Sequence, residues 1–278
     1  MQRVCIWMPL IPKIFSSTRA VRQTISRTCL NTVFPPCCDM CGADVEGTGG
    51  FCGECFAQMR PIIKPYCEQC GVPLAASGFA DQQGVCAFCA STAPPWNRMR
   101  AAFIYDDWLR QLILPLKYAD RTENARILAR EMWRSGEDIL RDANFLLPVP
   151  VHKRKLRHRR YNQAALLARF LAKESGVSSL PMALKRIRNT QPLARLGSRE
   201  RKLEVEGSII VSPRYVEKLK GHPVVVIDDV FTTGATMSAC TRALLAAGVS
   251  RVDLLVAGRA GNMEEDRQKV TSALRDYA

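Results

Sequence analysis

The sequence predicts an α/β protein in which a parallel sheet with helices on both faces is preceded by a small cysteine-rich module. Three observations predict it. Eight cysteines fall into four Cys-x-x-Cys pairs between Cys38 and Cys89. Downstream, short apolar runs alternate with helix-period segments, the pattern of β-α-β units. One run, Val224-Val225-Val226-Ile227, leads into Asp228-Asp229 and then Thr232-Thr233-Gly234-Ala235-Thr236, before a helical pattern from Met237 to Leu245. Such a run, mostly β-branched and without polar alternation, fits a strand covered on both faces and stopping at the carboxylates.

The chain divides by composition into a basic extension over 1–36, a cysteine module over 37–90, an α/β domain over 98–260 and a polar helical tail over 261–278. At 278 residues with 47% apolar content, there is enough chain for one large domain and a small one. No run approaches the ~18 consecutive apolar residues of a membrane span, so a cytoplasmic protein is expected. The formal charge of +14 points to polyanionic partners.

The extension carries Arg3, Lys13, Arg19, Arg22 and Arg27 and no acidic residue. It lacks the apolar core and cleavage site of a secretory signal and has the composition of an organelle transit peptide or of a plain basic extension. The knuckles Cys38-x-x-Cys41, Cys52-x-x-Cys55, Cys67-x-x-Cys70 and Cys86-x-x-Cys89 follow. Two intervening residues let both thiolates of a pair reach one tetrahedral ion, and so many pairs in a row favour zinc over a redox dithiol. The simplest pairing is sequential, with Cys38, Cys41, Cys52 and Cys55 on one Zn and Cys67, Cys70, Cys86 and Cys89 on a second; an interleaved cross-brace also satisfies the spacing. A segment so poor in aliphatic residues buries little core without metal, which makes the zinc structural.

After a linker at Ala90 to Pro95, Met99 to Tyr105 reads as a strand and Trp108 to Tyr118 as an amphipathic helix interrupted at Pro115. Thr122 to Leu140 resumes a helical period, and Phe145 to Val151 is the next strand. It empties into a basic loop with Lys153, Arg154, Lys155, Arg157, Arg159 and Arg160, before Tyr161-Asn162-Gln163 opens a helix. Dense cations at a sheet edge suit a pyrophosphate or a longer polyanion, and their excess over one pyrophosphate argues for single-stranded DNA or RNA as well. Ser208 to Val211 and Val252 to Ala257 read as further strands. Cys240, on the helix behind the Thr-rich loop, reads as a small buried apolar residue.

The chemistry centres on the acidic pair. Adjacent carboxylates at a strand end repel and are costly to desolvate unless something donates to them. A ribose cis-diol is such a donor pair, with Mg²⁺ as a second source of compensation. The loop Thr232, Thr233, Gly234, Ala235 and Thr236 offers hydroxyls and amides to a phosphate at a helix N-terminus. A diol and a phosphate side by side describe a ribose 5-phosphate.

This stretch resembles the signature of the type I phosphoribosyltransferases. The resemblance implies that Asp228 and Asp229 hold the ribose hydroxyls of phosphoribosyl pyrophosphate, with Mg, and that Thr232 to Thr236 hold its 5-phosphate. In the purine-salvage branch a carboxylate stands where this chain has Thr232, which argues against hypoxanthine or guanine salvage. Leu147-Pro148-Val149-Pro150, the run Arg159-Arg160-Tyr161-Asn162-Gln163-Ala164, Leu116-Lys117-Tyr118 and the cysteine pairs are together similar to the ComF family, over roughly Phe34 to Ala260. A glycine is common in that family where Arg160 stands here. The polar stretch between Leu184 and Val211 resembles a mobile loop over the activated ribose, and the resemblance singles out Arg188, Thr190, Gln191 and Arg201.

Two functions follow from the resemblance. One is a phosphoribosyltransferase-like protein binding phosphoribosyl pyrophosphate or a related sugar phosphate, with transfer to an unassigned acceptor. The other is an accessory protein of natural competence that binds single-stranded DNA, with a competence helicase or recombination proteins as partners and a regulatory or vestigial ribose-phosphate pocket. No general base is assigned; His152 and His158 stand among cations, where an electrostatic or phosphate-contact role suits them as well.

Overall fold

The computed structural model describes residues 35–47, 50–119, 121–152, 156, 161–188 and 207–261. They belong to two compact units, Met1–Met59 and Arg60–Ala278. Residues 1–34 of the extension and 262–278 of the expected helical tail lie outside the described residues.

The smaller unit holds the first two knuckles and the short helix α1 (Gly53–Ala57). The larger unit opens with the other two knuckles and α2 (Ala87–Ser91). There follow β1 (Met99–Ile104), α3 (Asp107–Tyr118), α4 (Glu123–Ser135), α5 (Glu137–Arg141), β2 (Phe145–Pro148), α6 (Gln163–Ser175), β3 (Ser178–Ser179), β4 (Leu184–Arg186), β5 (Ile209–Val211), α7 (Val216–Leu219), β6 (Pro223–Phe231), α8 (Ala235–Ala246) and β7 (Arg251–Arg259). Among the described residues no helix is long and apolar enough to cross a membrane.

Five strands form a parallel sheet in the order β1-β7-β6-β2-β3. The strand expected at Ser208 to Val211 forms as β5, in a separate antiparallel pair with β4. Strand β6 differs from expectation, because it does not stop at the carboxylates. Its register with β7 runs on through Asp228↔Val256 and Val230↔Gly258 to Phe231↔Arg259. A full-length neighbour supplies ladder partners that outweigh the poor strand propensity of aspartate.

Side chains alternate across β6. Val224 and Val226 pack with Met237, Cys240 and Leu244 of α8, with Val252, Leu254 and Val256 of β7 beside them. The opposite face of the sheet meets α4, over β1 and β7, and α6, over β2 and β6. Gly258 lets α3 approach β7, since a Cβ there would lie 2.5 Å from Leu109 Cδ2. Asp106 caps α3 by accepting from the Leu109 amide at 3.0 Å. The break at Gly136 divides the expected Thr122 to Leu140 helix into α4 and α5 where Leu255 presses against the chain, 2.8 Å from a Cβ built at Gly136.

The second pair of knuckles is stitched to this sheet. The buried Arg100 of β1 pairs with Glu68 of the ribbon and, at 2.7 Å, with Asp138 of α5. The Met99 amide donates to the Glu68 carbonyl at 3.1 Å.

Candidate functional site

Connections diverge at the carboxyl edge of the sheet. From β2 the chain crosses through α6 to β3 on one side, while from the adjacent β6 it crosses through α8 to β7 on the other. Adjacent strands whose crossovers leave in opposite directions open a crevice, the place where α/β sheets take ligands. The Thr-rich loop after β6 and the basic loop after β2 leave from its two sides. The residues flanking the basic loop are anchored to the sheet and to α3. The Val149 amide donates to the Ile227 carbonyl at 2.9 Å, and Asn162 caps α6 through its side-chain oxygen while its Nδ2 donates to the Val149 carbonyl at 2.9 Å. The Tyr161 hydroxyl donates to the Leu116 carbonyl at 2.6 Å, tying the loop's end to α3. The candidates Lys153, Arg154, Lys155, Arg157, Arg159 and Arg160 lie outside the described residues, as do Thr190, Gln191 and Arg201. Arg188 is described and exposed, just beyond β4.

Because β6 stays extended through the acidic pair, its two carboxylates leave on opposite faces. Asp229, 8% exposed, turns toward α3 and pairs with Lys117, whose Nζ lies 2.9 Å from Oδ1. Burial works against the Lys117 charge, but the Asp229 carboxylate outweighs it and holds the ammonium above its usual range. Asp228 lies on the α8 side, within electrostatic reach of Arg186 of β4, and its Oδ1 accepts from the Asp229 amide at 2.9 Å. Burial, then the neighbouring Asp229 charge, pushes its carboxyl from 3.8 up to about 7. Lys117 and Arg186 are the additions that sequence reading did not assign to the site. Lys117 carried a signal, since it is in helical phase with the buried Leu109 and Ile113.

A carboxyl group with a folded pKa above its unfolded one binds more protons when folded. The stability it contributes is therefore lost as pH rises from 3.8 to about 7 and is level above that. Asp228→Asn is expected to flatten this part of the stability profile and to raise the melting temperature at pH 8 by about 2–6 °C. Thermal melts at pH 5 and pH 8 in magnesium-free buffer check it, and an unchanged slope between them counts against the assignment.

The loop that follows joins strand to helix in three residues. Thr232 and Thr233 are exposed, Gly234 is buried at φ 73°, and Ala235 and Thr236 begin α8 half-buried. Among the described residues no side chain caps this end of α8, an end whose first amides suit an anion arriving from the crevice. A Cβ at Gly234 would lie 2.9 Å from Phe231 Cζ and 3.0 Å from Trp96 Cη2.

The cysteines form two separate groups, Cys38, Cys41, Cys52 and Cys55 in one and Cys67, Cys70, Cys86 and Cys89 in the other, with the Sγ atoms of each within 4.8 Å of one another. This is the sequential pairing, and it excludes a cross-brace. The groups repeat one design. Gly42 and Gly71, at φ 76° and 65°, turn each first knuckle back so that their amides reach the Cys38 and Cys67 carbonyls. The Cys52 and Cys86 amides donate to the Cys38 and Cys67 sulfurs at 3.3 Å. Sulfurs gathered this tightly and turned toward amide donors suit thiolates on a tetrahedral ion. The two four-cysteine centres are sites of structural zinc.

Fold and site define a phosphoribosyltransferase-type domain joined to paired zinc ribbons. Residues 29–90 match the double zinc ribbon domain and residues 166–275 the phosphoribosyl transferase domain. The chain belongs to the ComF family. It is 30% identical over 210 residues to DNA utilization protein YhgH of Salmonella typhimurium, a match covering 74% of this chain and 88% of that protein. Competence protein F of Haemophilus influenzae is 27% identical over 216 residues, covering 76% and 91%. Competence protein ComFC of Bacillus subtilis is 24% identical over 202 residues, covering 71% and 78%.

Proposed function

We propose that the protein binds phosphoribosyl pyrophosphate with Mg²⁺ in the crevice between β2 and β6, and that its chemistry is phosphoribosyl transfer. One observation carries this reading: the uncapped start of α8 and the acidic pair of β6 lie on either side of a three-residue loop at a topological switch point. A phosphate at the helix N-terminus leaves the ribose diol over the end of β6 that carries Asp228 and Asp229, and holding it with both requires Asp229 to turn from Lys117. The hydroxyls and amides of Thr232, Thr233, Gly234, Ala235 and Thr236 then serve the 5-phosphate. The basic loop beyond His152, with Lys153, Arg154, Lys155, Arg157, Arg159 and Arg160, supplies counter-charge for the pyrophosphate that leaves when the anomeric carbon is attacked. Asp228 would help to hold Mg²⁺, its carboxyl ionising once a cation approaches, and the ion would supply charge neutralisation to the diphosphate. Arg188, Thr190, Gln191 and Arg201 belong to the segment assigned to exclude water from the activated ribose. Titration calorimetry with phosphoribosyl pyrophosphate and Mg²⁺ is expected to give saturable heat, and phosphoribosyl pyrophosphate consumption across nucleobases and DNA then identifies the acceptor. No heat at any Mg²⁺ concentration sinks the reading.

A second reading rests on the charge of +14 and on relatives named for DNA utilization and competence. In it the chain binds single-stranded DNA through the basic loop, the sugar-phosphate pocket is regulatory, and the partners are a competence helicase or recombination proteins. Affinity for a single-stranded oligonucleotide should fall steeply with salt, because each neutralised phosphate releases counterion. Changing Arg157, Arg159 and Arg160 together to alanine should weaken binding about 10-fold or more and flatten the salt slope. Absence of binding at moderate salt eliminates this reading.

A further inference from the structure

The second zinc ribbon reaches the phosphate loop through two side chains. Trp96, 5% exposed, donates its Nε1–H to the Gln69 carbonyl at 2.6 Å, inside the knuckle Cys67-x-x-Cys70. The same indole stands edge-on to Phe231, with ring centroids 5.8 Å apart at 86°, and its Cη2 abuts Gly234. Arg259 repeats the connection from the end of β7. Its Nε donates to the Cys70 carbonyl at 3.0 Å, and its guanidinium lies over the Phe231 ring at 5.9 Å. Phe231 is the last residue of β6 and Gly234 is the residue from which α8 starts.

We propose that Trp96 and Arg259 are positioning residues through which the Cys67–Cys89 metal centre sets the shape of the phosphate loop. The two carbonyls they hold belong to the turn that carries Cys67 and Cys70. That turn keeps one geometry only while both thiolates are ligands, since the ribbon has little apolar core of its own beyond Val72, Leu74 and Val85. Without the metal the acceptors disperse. Trp96 and Arg259 then lose their fixed partners, and Phe231 and Gly234 lose the wall against which the left-handed turn is packed. A ribbon read from sequence as an appendage separated by a linker is thus a buttress of the sheet-end site. The inference concerns the site assigned above to the 5-phosphate, but the contacts themselves need no ligand.

Hydrogen exchange on the full chain tests it. The probe is the Ser238 amide, which donates to the Gly234 carbonyl at 2.7 Å, with helix α6 as the internal reference for global opening. Zinc content is measured on every variant. Cys67→Ser is expected to lower zinc to one per chain and to speed exchange around Ser238 about 10-fold relative to α6. Trp96→Phe, which removes the Nε1–H donor, is expected to keep both zinc ions and speed the same exchange. Arg259→Lys, losing the guanidinium contacts while keeping the charge, serves the same purpose if Trp96→Phe does not fold. Exchange at Ser238 that stays at the wild-type rate in Cys67→Ser, or in a zinc-replete Trp96→Phe or Arg259→Lys chain, overturns the proposal. Ribose 5-phosphate affinity is measured in parallel. If the wild type fails to bind it while the exchange pattern holds, the phosphate reading is lost and the coupling stands.

Discussion

Replacing Asp228 and Asp229 together by asparagine is expected to weaken binding of phosphoribosyl pyrophosphate with Mg²⁺ by about 100-fold or more. Two charge-assisted hydrogen bonds from the diol, each about 1.5 kcal/mol or more, account for a loss of about 3 kcal/mol. The single variants separate the two carboxylates, because the strand sends them to different neighbours. Asp229→Asn strands the mostly buried Lys117 ammonium, now 2.9 Å from its partner, and should lower stability by about 2 kcal/mol. Asp228→Asn removes a carboxyl that burial already disfavours and should stabilise at high pH. Stability loss in one, gain in the other and affinity loss in both is the expected pattern in denaturation and calorimetry. Equal heats in wild type and the double variant would remove the carboxylates from the site.

Gly234→Ala is expected to be the most damaging single change in the Thr232 to Thr236 loop. Left-handed backbone at φ 73° costs a non-glycine residue about 1–2 kcal/mol, and the added methyl meets Phe231 at 2.9 Å and Trp96 at 3.0 Å. The neighbours are rings fixed by packing, so they yield only by shifting β6 or the ribbon. A stability loss of about 3 kcal/mol in urea unfolding is expected, together with loss of ribose 5-phosphate binding. Gly234→Asn separates the causes. Asparagine tolerates the left-handed region, so if it is as damaging as alanine, crowding dominates; if it is nearly neutral, backbone strain does.

Much of the candidate site's layout was legible because its elements are local. The knuckles needed only the two-residue spacing that brings paired thiolates together. The cradle needed only the succession of apolar strand, acidic pair, Thr-Gly loop and helix, since a strand end and a helix start that are neighbours in sequence are neighbours in space. Asn162 ahead of Gln163 likewise marked a helix start from its own residue type. Where strand β6 ended was not local. Asp228 to Phe231 stay extended because β7 pairs with them, and no property of four consecutive residues reveals the length of a distant neighbour. The split of the Thr122 to Leu140 helix at Gly136 has the same origin in Leu255.

The sequence by itself determined which residues carry charge, thiolate and hydroxyl chemistry, in what order along the chain, and where the main strands and helices of the sheet domain begin. Only the tertiary structure decided that the two carboxylates face apart, that Lys117 answers one of them, and that the second ribbon backs the turn from Phe231 to Gly234. The bonds that decide these points join residues far apart in the chain, 27 positions for Trp96 with Gln69 and 189 for Arg259 with Cys70. Strand order creates such pairings, and strand order is set by how buried faces pack together, a property of the whole core that no single stretch of sequence contains.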